Sequence, residues 1–224
     1  MSVIGSALPF FFGASKGIVI PAIGASLQGG FFAGYISHTA NSVATHALIV
    51  APRATGATGA GYTLTTDKQW KTTSTTTAGT TSDFNGAANT AAMVTAGIAN
   101  HPAAQFCTGL SIGGYTDWYF PARYELEIAY YNLKPTTTSN STSWGINPYS
   151  VPARGSNYTA GTPAQTTVTA FQTGNSEAFF GDYHWSSTEF SSTDARRLDL
   201  GNGAWFENTK TIASRVRAFR KLAL

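Results

Sequence analysis

Residues able to carry catalytic chemistry are few in this chain, and they are scattered. His38, His46, His101 and His184 stand far apart, with no H-E-x-x-H pair to hold zinc, no G-x-S-x-G around a nucleophilic serine and no glycine-rich phosphate loop. Cys107 is the single cysteine and sits in the apolar run AAQFCTGL. That context makes it a small buried hydrophobe and excludes an internal disulfide framework or a multi-cysteine zinc site. Asp117 and Glu189 lie near Trp118, Trp185 and several arginines, a setting for structural hydrogen-bonded ion pairs rather than for a catalytic acid. A calcium site would need about six to eight oxygen ligands. The stretch 136–170 offers Asn140, Asn147 and Asn157 but no Asp or Glu, and its one charge is Arg154. The expectation is therefore a protein that is not an enzyme, with no catalytic residue, no metal ligand and no cofactor.

Recognition chemistry remains, and it gathers near the C-terminal end. Between Asp182 and Lys221 lie seven of the chain's 14 Lys and Arg, interspersed with Glu189, Asp194, Asp199 and Glu207. Leu198 and Leu200 alternate with Arg197 and Asp199, so a strand would bury one pair and present the other. Gly201-Asn202-Gly203 can supply the positive φ of a tight hairpin turn, and Trp205 follows directly. This pattern nominates Phe190, Arg197, Asp199, Asn202, Trp205, Glu207 and Asn208 as ligand-binding residues. Aromatic and Arg side chains are the usual anchors of binding surfaces, and the amides and carboxylates add directional hydrogen bonds. Two blander readings stay open: the charges form a solvated strand face, and Trp205 or Phe190 packs into the core. Should the patch fail, the long stretch around Trp144, Tyr149 and Tyr158 is the next candidate.

These side chains need a scaffold. The 224 residues are 42% hydrophobic and 13% aromatic, ample for a buried core. Only 11% are charged, and Thr, Ser, Ala, Gly and Asn fill the difference, which favours β structure and ordered polar loops. A net charge of +3 with no lysine-rich run gives no support to nucleic-acid binding. Segments 31–36 and 46–50 read as an opening β-hairpin, closed by Pro52. After Asn85-Gly86, the positions Ala87, Ala91, Val94 and Ile98 have helical spacing, and 103–110 suggests a second short helix. In GGYTDWYFPARYELEIAYYNLKP, Pro121 sets the first helical turn. Glu125 and Glu127 complement its positive end, and Leu126, Ala129, Tyr130 and Leu133 form the apolar stripe. The run that follows, with Arg154 its one charge and no clear periodicity, reads as a functional loop or an ordered insertion.

Residues 1–28 are expected to be a separate apolar attachment segment, and 29–224 one domain. Lys16 is the only charge before Arg53, and Gly, Pro and Ser interrupt the apolar runs. These breaks deny the twenty or so continuous apolar residues of a spanning helix, and a basic signal-peptide start is missing. Phe10, Phe11, Phe12, Ile18 and Ile20 would then dock on sister subunits or a larger assembly, without membrane insertion. The alternative is a strand pair folded onto the same domain.

The motifs FNGAANTAAM, AAQFC, GGYTDWYFPARYELEIAY, HWSSTE, LGNG and SRVRAFR together resemble a phage and bacterial surface-protein family with a C-type-lectin-like fold. That family is related to the C-terminal domain of collagen-like bacterial adhesins and to phage tropism determinants. The resemblance covers roughly residues 29–221 and is most specific in DWYFPARYEL and WSSTE. It implies an α+β domain with short antiparallel strands, two or three helices and long ordered loops, whose C-terminal strands display ligand-contacting side chains. It further implies a virion protein, a tail-fibre or tail-tip adhesin assembled in the bacterial cytoplasm. Such a protein would be a trimer, joined to other virion proteins through residues 1–28 and binding a host surface glycan or protein. A structural collar, tail or capsid decoration protein and a bacterial surface adhesin are the alternatives. By the same resemblance, Trp118, Pro121, Glu125, Leu126, Trp185, Ser186, Ser187 and Glu189 maintain the fold.

Overall fold

A computed structural model describes residues 19–59 and 66–224. Its first half contains β1 (Ser26–Leu27), β2 (Gly30–Ile36), β3 (His46–Val50), the single-turn α1 (Arg53–Gly56) and β4 (Lys68–Gln69). Three helices follow, α2 (Gly86–Thr95), α3 (Pro102–Thr108) and α4 (Arg123–Leu133), and then β5 (Ser150–Val151). The last part is all strand: β6 (Tyr183–Glu189), β7 (Asp194–Asp199), β8 (Trp205–Thr209), β9 (Ala213–Ser214) and β10 (Phe219–Ala223). The result is a mixed α and β protein with antiparallel sheets and few helices.

One sheet runs β1-β2-β3-β10 with β5 added to β2, a second runs β6-β7-β8, and β4 pairs with β9. Alternation along β3 divides the interior into two cores. Leu48 and Val50 face α4 with Ile36, Leu126, Leu133 and Phe219, while Ala47 and Ile49 face α3 with Trp70, Trp118 and Trp185. In β2, Gly34 (φ 135°) marks a register shift, and a Cβ there would stand 2.4 Å from Asn132 Nδ2. The glycine lets Asn132 donate to the Ala33 carbonyl at 2.8 Å, fastening α4 to the sheet.

Helix α4 buries Leu126, Ala129, Tyr130 and Leu133 as the apolar stripe requires. Glu125 complements its positive end as expected, accepting the Ala122 N–H at 2.8 Å from a fully buried position, whereas Glu127, also buried, lies past the first turn. Helix α2 also departs from the apolar spacing, for Val94 is 48% exposed and the buried side chains are Asn89, Thr90 and Met93. Polar atoms decide the rotation: Asn89 donates to the Ser82 carbonyl (2.7 Å) and to Ser187 Oγ (3.1 Å), and Thr90 donates to the Gly86 carbonyl (2.8 Å).

Residues 19–28 fold with the domain rather than apart from it. β1 pairs with β2, Leu27 lies in the core, and Ile20 and Ile23 pack on its margin. The boundary expected at 28/29 therefore moves toward the N-terminus. Phe10, Phe11, Phe12 and Ile18 lie outside the described residues. Among the described residues, no helix is long and apolar enough to cross a membrane.

Candidate functional site

Strand pairing assigns a face to each nominated residue. Leu198 stands opposite Trp205, Arg197 opposite Phe206, Arg196 opposite Glu207 and Ala195 opposite Asn208. Directly paired residues point the same way. Trp205 therefore goes inward with Leu198 and is 5% exposed, while Phe206 comes outward with Arg197 and is 39% exposed. Trp205 is thus a core residue, not an exposed anchor; the sequence shows the alternation along β7 but not its register with β8.

The nominated patch divides between two sides of the β6-β7-β8 sheet. One side carries Arg197, whose guanidinium lies 4.0 Å from the Tyr183 ring centroid, with Phe206 edge-on to Tyr183 and Asn208 along the strand. The other carries the Arg196–Glu207 ion pair (2.6 Å) and Phe190, 53% exposed beneath the Arg196 guanidinium. Asp199 and Asn202 serve the turn rather than a shared surface. Asp199 Oδ1 accepts the Gly201 N–H (2.7 Å), and burial pushes its carboxyl above the usual range. Asn202 Oδ1 accepts the Ala204 N–H (2.9 Å), and its carbonyl accepts the Ser141 N–H (2.8 Å), tying the turn to the long segment after α4.

That segment builds a groove which the nominated list missed. A cleft of about 220 Å³ lies between the start of α4 and the segment, lined by Arg123, Tyr124, Trp144, Ile146, Asn157 and the edge of Trp205. Asn157 also lines an adjoining cavity of about 280 Å³ with Tyr131, Arg154, Ser156 and Thr162. Arg123 is paired with Asp83 (3.3 Å), and its guanidinium lies 5.0 to 6.0 Å from the ring centroids of Tyr124, Trp205 and Trp144.

Buried polar anchors, not secondary structure, hold the segment on α4. Glu127 is enclosed and accepts from the Tyr158 hydroxyl, the Arg154 guanidinium and the Asn147 amide (2.6 Å for the amide). Burial pushes the Glu127 carboxyl up, and the Arg154 guanidinium opposes that shift. Lys134 Nζ donates to the Thr138 carbonyl (2.5 Å), to Asn140 Oδ1 (2.7 Å) and to the Pro163 carbonyl (3.3 Å). Gly145 (φ 131°) lets the chain pass Tyr158, whose N would lie 2.4 Å from an added Cβ. The sequence signal for this groove was the length of a stretch with a single charge and with Trp144, Tyr149 and Tyr158 in it.

The other chemically versatile residues have structural partners. Glu189 pairs with Lys210 (3.3 Å) and accepts the Thr77 N–H (2.8 Å), and Asp117 pairs with Arg220. His101 contacts Thr77 Oγ1 at 2.8 Å, and His184 is buried with its pKa lowered to about 4. Cys107 is buried and its thiol is pushed up by desolvation. Trp118, Pro121, Glu125, Leu126, Trp185, Ser186, Ser187 and Glu189 are all buried. Among the described residues, no group of three or more His, Cys, Asp or Glu could hold a metal ion. No protein-family model matches the chain, and no curated protein matches it.

Proposed function

We propose that the protein is a phage virion component, a tail-fibre or tail-tip adhesin that recognises a host surface receptor, with a C-type-lectin-like domain as its scaffold. The observation that carries the reading is the groove: a solvent-open cleft walled by Trp144, Tyr124 and Ile146 and floored by Trp205 from the C-terminal strands. Small polar and apolar lining with a few convergent hydrogen-bonding groups is the usual make-up of a recognition site. The aromatic rings supply stacking area, and Asn157, exposed between both cavities, supplies direction.

The scaffold fits the same reading. A strand from near the beginning, β3, lies against the last strand, β10, and everything between them, including the long segment, is carried on that closed base. Receptor-contacting parts can then vary on loops and strand faces while the base stays fixed. The guanidiniums lining the groove and the adjoining cavity are already paired with carboxylates, Arg123 with Asp83 and Arg154 with Glu127. The site therefore suits an uncharged glycan or a polar peptide face better than a polyanion. Particles carrying Trp144→Ala or Asn157→Ala should assemble normally and adsorb to host cells at least tenfold less, by the usual cost of losing a binding anchor of about 2 kcal/mol. Unchanged adsorption by both variants would remove the groove from the reading.

A further inference from the structure

Away from the groove, an amine meets a carboxamide where the last strand meets two helices, with a buried carboxyl bonded to the next residue along. Lys221 on β10 places its Nζ 2.8 Å from Oδ1 of Asn85, the residue that caps α2. The same oxygen accepts the Ala88 N–H at 3.2 Å. Glu125 of α4 is 0% exposed, and its Oε2 accepts the N–H of Gly86, the residue after Asn85, at 3.1 Å. Its Oε1 accepts the Tyr119 hydroxyl at 2.9 Å. Phe84, next to Asn85 in the chain, stacks on Tyr149 and meets His38 edge-on, and the Tyr119 ring lies 5.9 Å from Lys221 Nζ.

The site thus holds an amine against a carboxamide, with a buried carboxyl beside them. We propose that Lys221 and Asn85 become joined by an intramolecular isopeptide bond, formed by the protein itself with Glu125 as the proton carrier. Burial lowers the Lys221 amine from its ordinary value and raises Glu125 to about 7, and the two charges act on each other. Burial thus disfavours the charged form of the amine, and a protonated carboxyl is accessible near neutral pH.

The step balances without a redox partner. The lone pair of Lys221 Nζ attacks Cγ of Asn85, and the new N–C bond puts negative charge on Oδ1. The Ala88 N–H, at the positive end of α2, stabilises that charge. Glu125 relays a proton between the two nitrogens, giving its own to the asparagine nitrogen as it takes one from the former lysine nitrogen. The old C–N bond then breaks, ammonia leaves, and a secondary amide remains.

A second amine–carboxamide contact in the chain shows what is missing elsewhere. Lys134 also meets an asparagine, but its Nζ donates to two backbone carbonyls as well, so its hydrogens are committed away from the carboxamide. It stays unlinked and serves as an internal control. The bond at Lys221 would fasten β10 to α2 across a sequence separation of 136 residues. A particle component pulled by its ends would then resist the peeling of its last strand.

The test is mass spectrometry on the purified full-length chain, intact under denaturing conditions and then after proteolysis. The expected result is a mass one ammonia below that of the sequence, and a branched peptide linking residues 85 and 221 while Lys134 remains unmodified. Lys221→Arg and Asn85→Ala should each restore the sequence mass, and Lys221→Arg keeps the charge that the fold uses. Glu125→Gln should restore it too, or delay the loss. Asn85-Gly86 can lose the same ammonia by closing to a succinimide, although Gly86 N is here engaged by Glu125. A linear peptide carrying that ring, or a wild-type chain at its full sequence mass, overturns the proposal.

Discussion

Replacing Glu127 by alanine tests how the groove is held. The substitution strips the acceptor from three donors at once: the Tyr158 hydroxyl, the Asn147 amide and the Arg154 guanidinium, whose side chain is 16% exposed. Removing one member of a buried ion pair costs about 3–5 kcal/mol. Arg154 keeps its contact over the Tyr131 ring at 4.1 Å and has a path to water, which places the cost at the lower end. The stranded Tyr158 and Asn147 groups would add about 1–3 kcal/mol each if they stayed buried, but releasing the segment hydrates them and caps the total. The expected destabilisation is therefore about 3 kcal/mol. With a urea m-value of about 2–3 kcal/mol/M, the unfolding midpoint should fall by about 1–1.5 M. Limited proteolysis should cut between residues 136 and 165 in the variant before the rest of the chain. A midpoint within about 0.3 M of the parent, with that segment still protected, would refute the role assigned to Glu127.

Further outcomes follow from single contacts. Gly145→Ala should lower the thermal midpoint, because a Cβ at φ 131° meets Tyr158 N at 2.4 Å and strain of this kind costs about 1–3 kcal/mol. In urea titrations Trp205→Ala should cost about 3–5 kcal/mol by leaving a cavity under the groove, whereas Phe206→Ser on the outer side should stay within about 0.5 kcal/mol. His184 is held neutral, with its pKa near 4 instead of 6.5. Its contribution is present above pH 6.5 and is lost as pH falls from 6.5 toward 4, by up to about 3 kcal/mol. A His184→Gln variant should show a flatter loss of urea midpoint over that range than the parent does.

How far the fold could be read depended on whether one segment or several fixed each feature. The β2–β3 hairpin, α3 and α4 were legible because propensity, punctuation and apolar spacing agree within each segment. The buried face of α2 was not, since Asn89 and Thr90 go inward to partners outside the helix, Ser82 just before it and the more distant Ser187 and Phe120. Arg197 and Leu198 were placed on opposite faces by period alone, but the turn between β7 and β8 sets which residue faces Leu198, so Trp205 and Phe206 exchange roles. The groove was least legible. Its walls come from α4, the long segment and β8, and Glu127, which joins the first two, looks in sequence like an ordinary glutamate near a helix start.

The place of β10 in the main sheet also sets an order of events during synthesis. Phe219 stands opposite Val50, and Arg220 opposite Ile49, so β3 lacks its second neighbour until nearly every described residue has been made. Meanwhile Val50 and Ile49, each central to a different core, wait with an open strand edge. Contacts this distant in sequence also slow closure. The sheet therefore stays unfinished while residues 51 to 218 are made. A message truncated before codon 219 would yield a polypeptide whose exposed β3 edge invites pairing with a neighbour, making quality control of incomplete copies a matter of one five-residue strand.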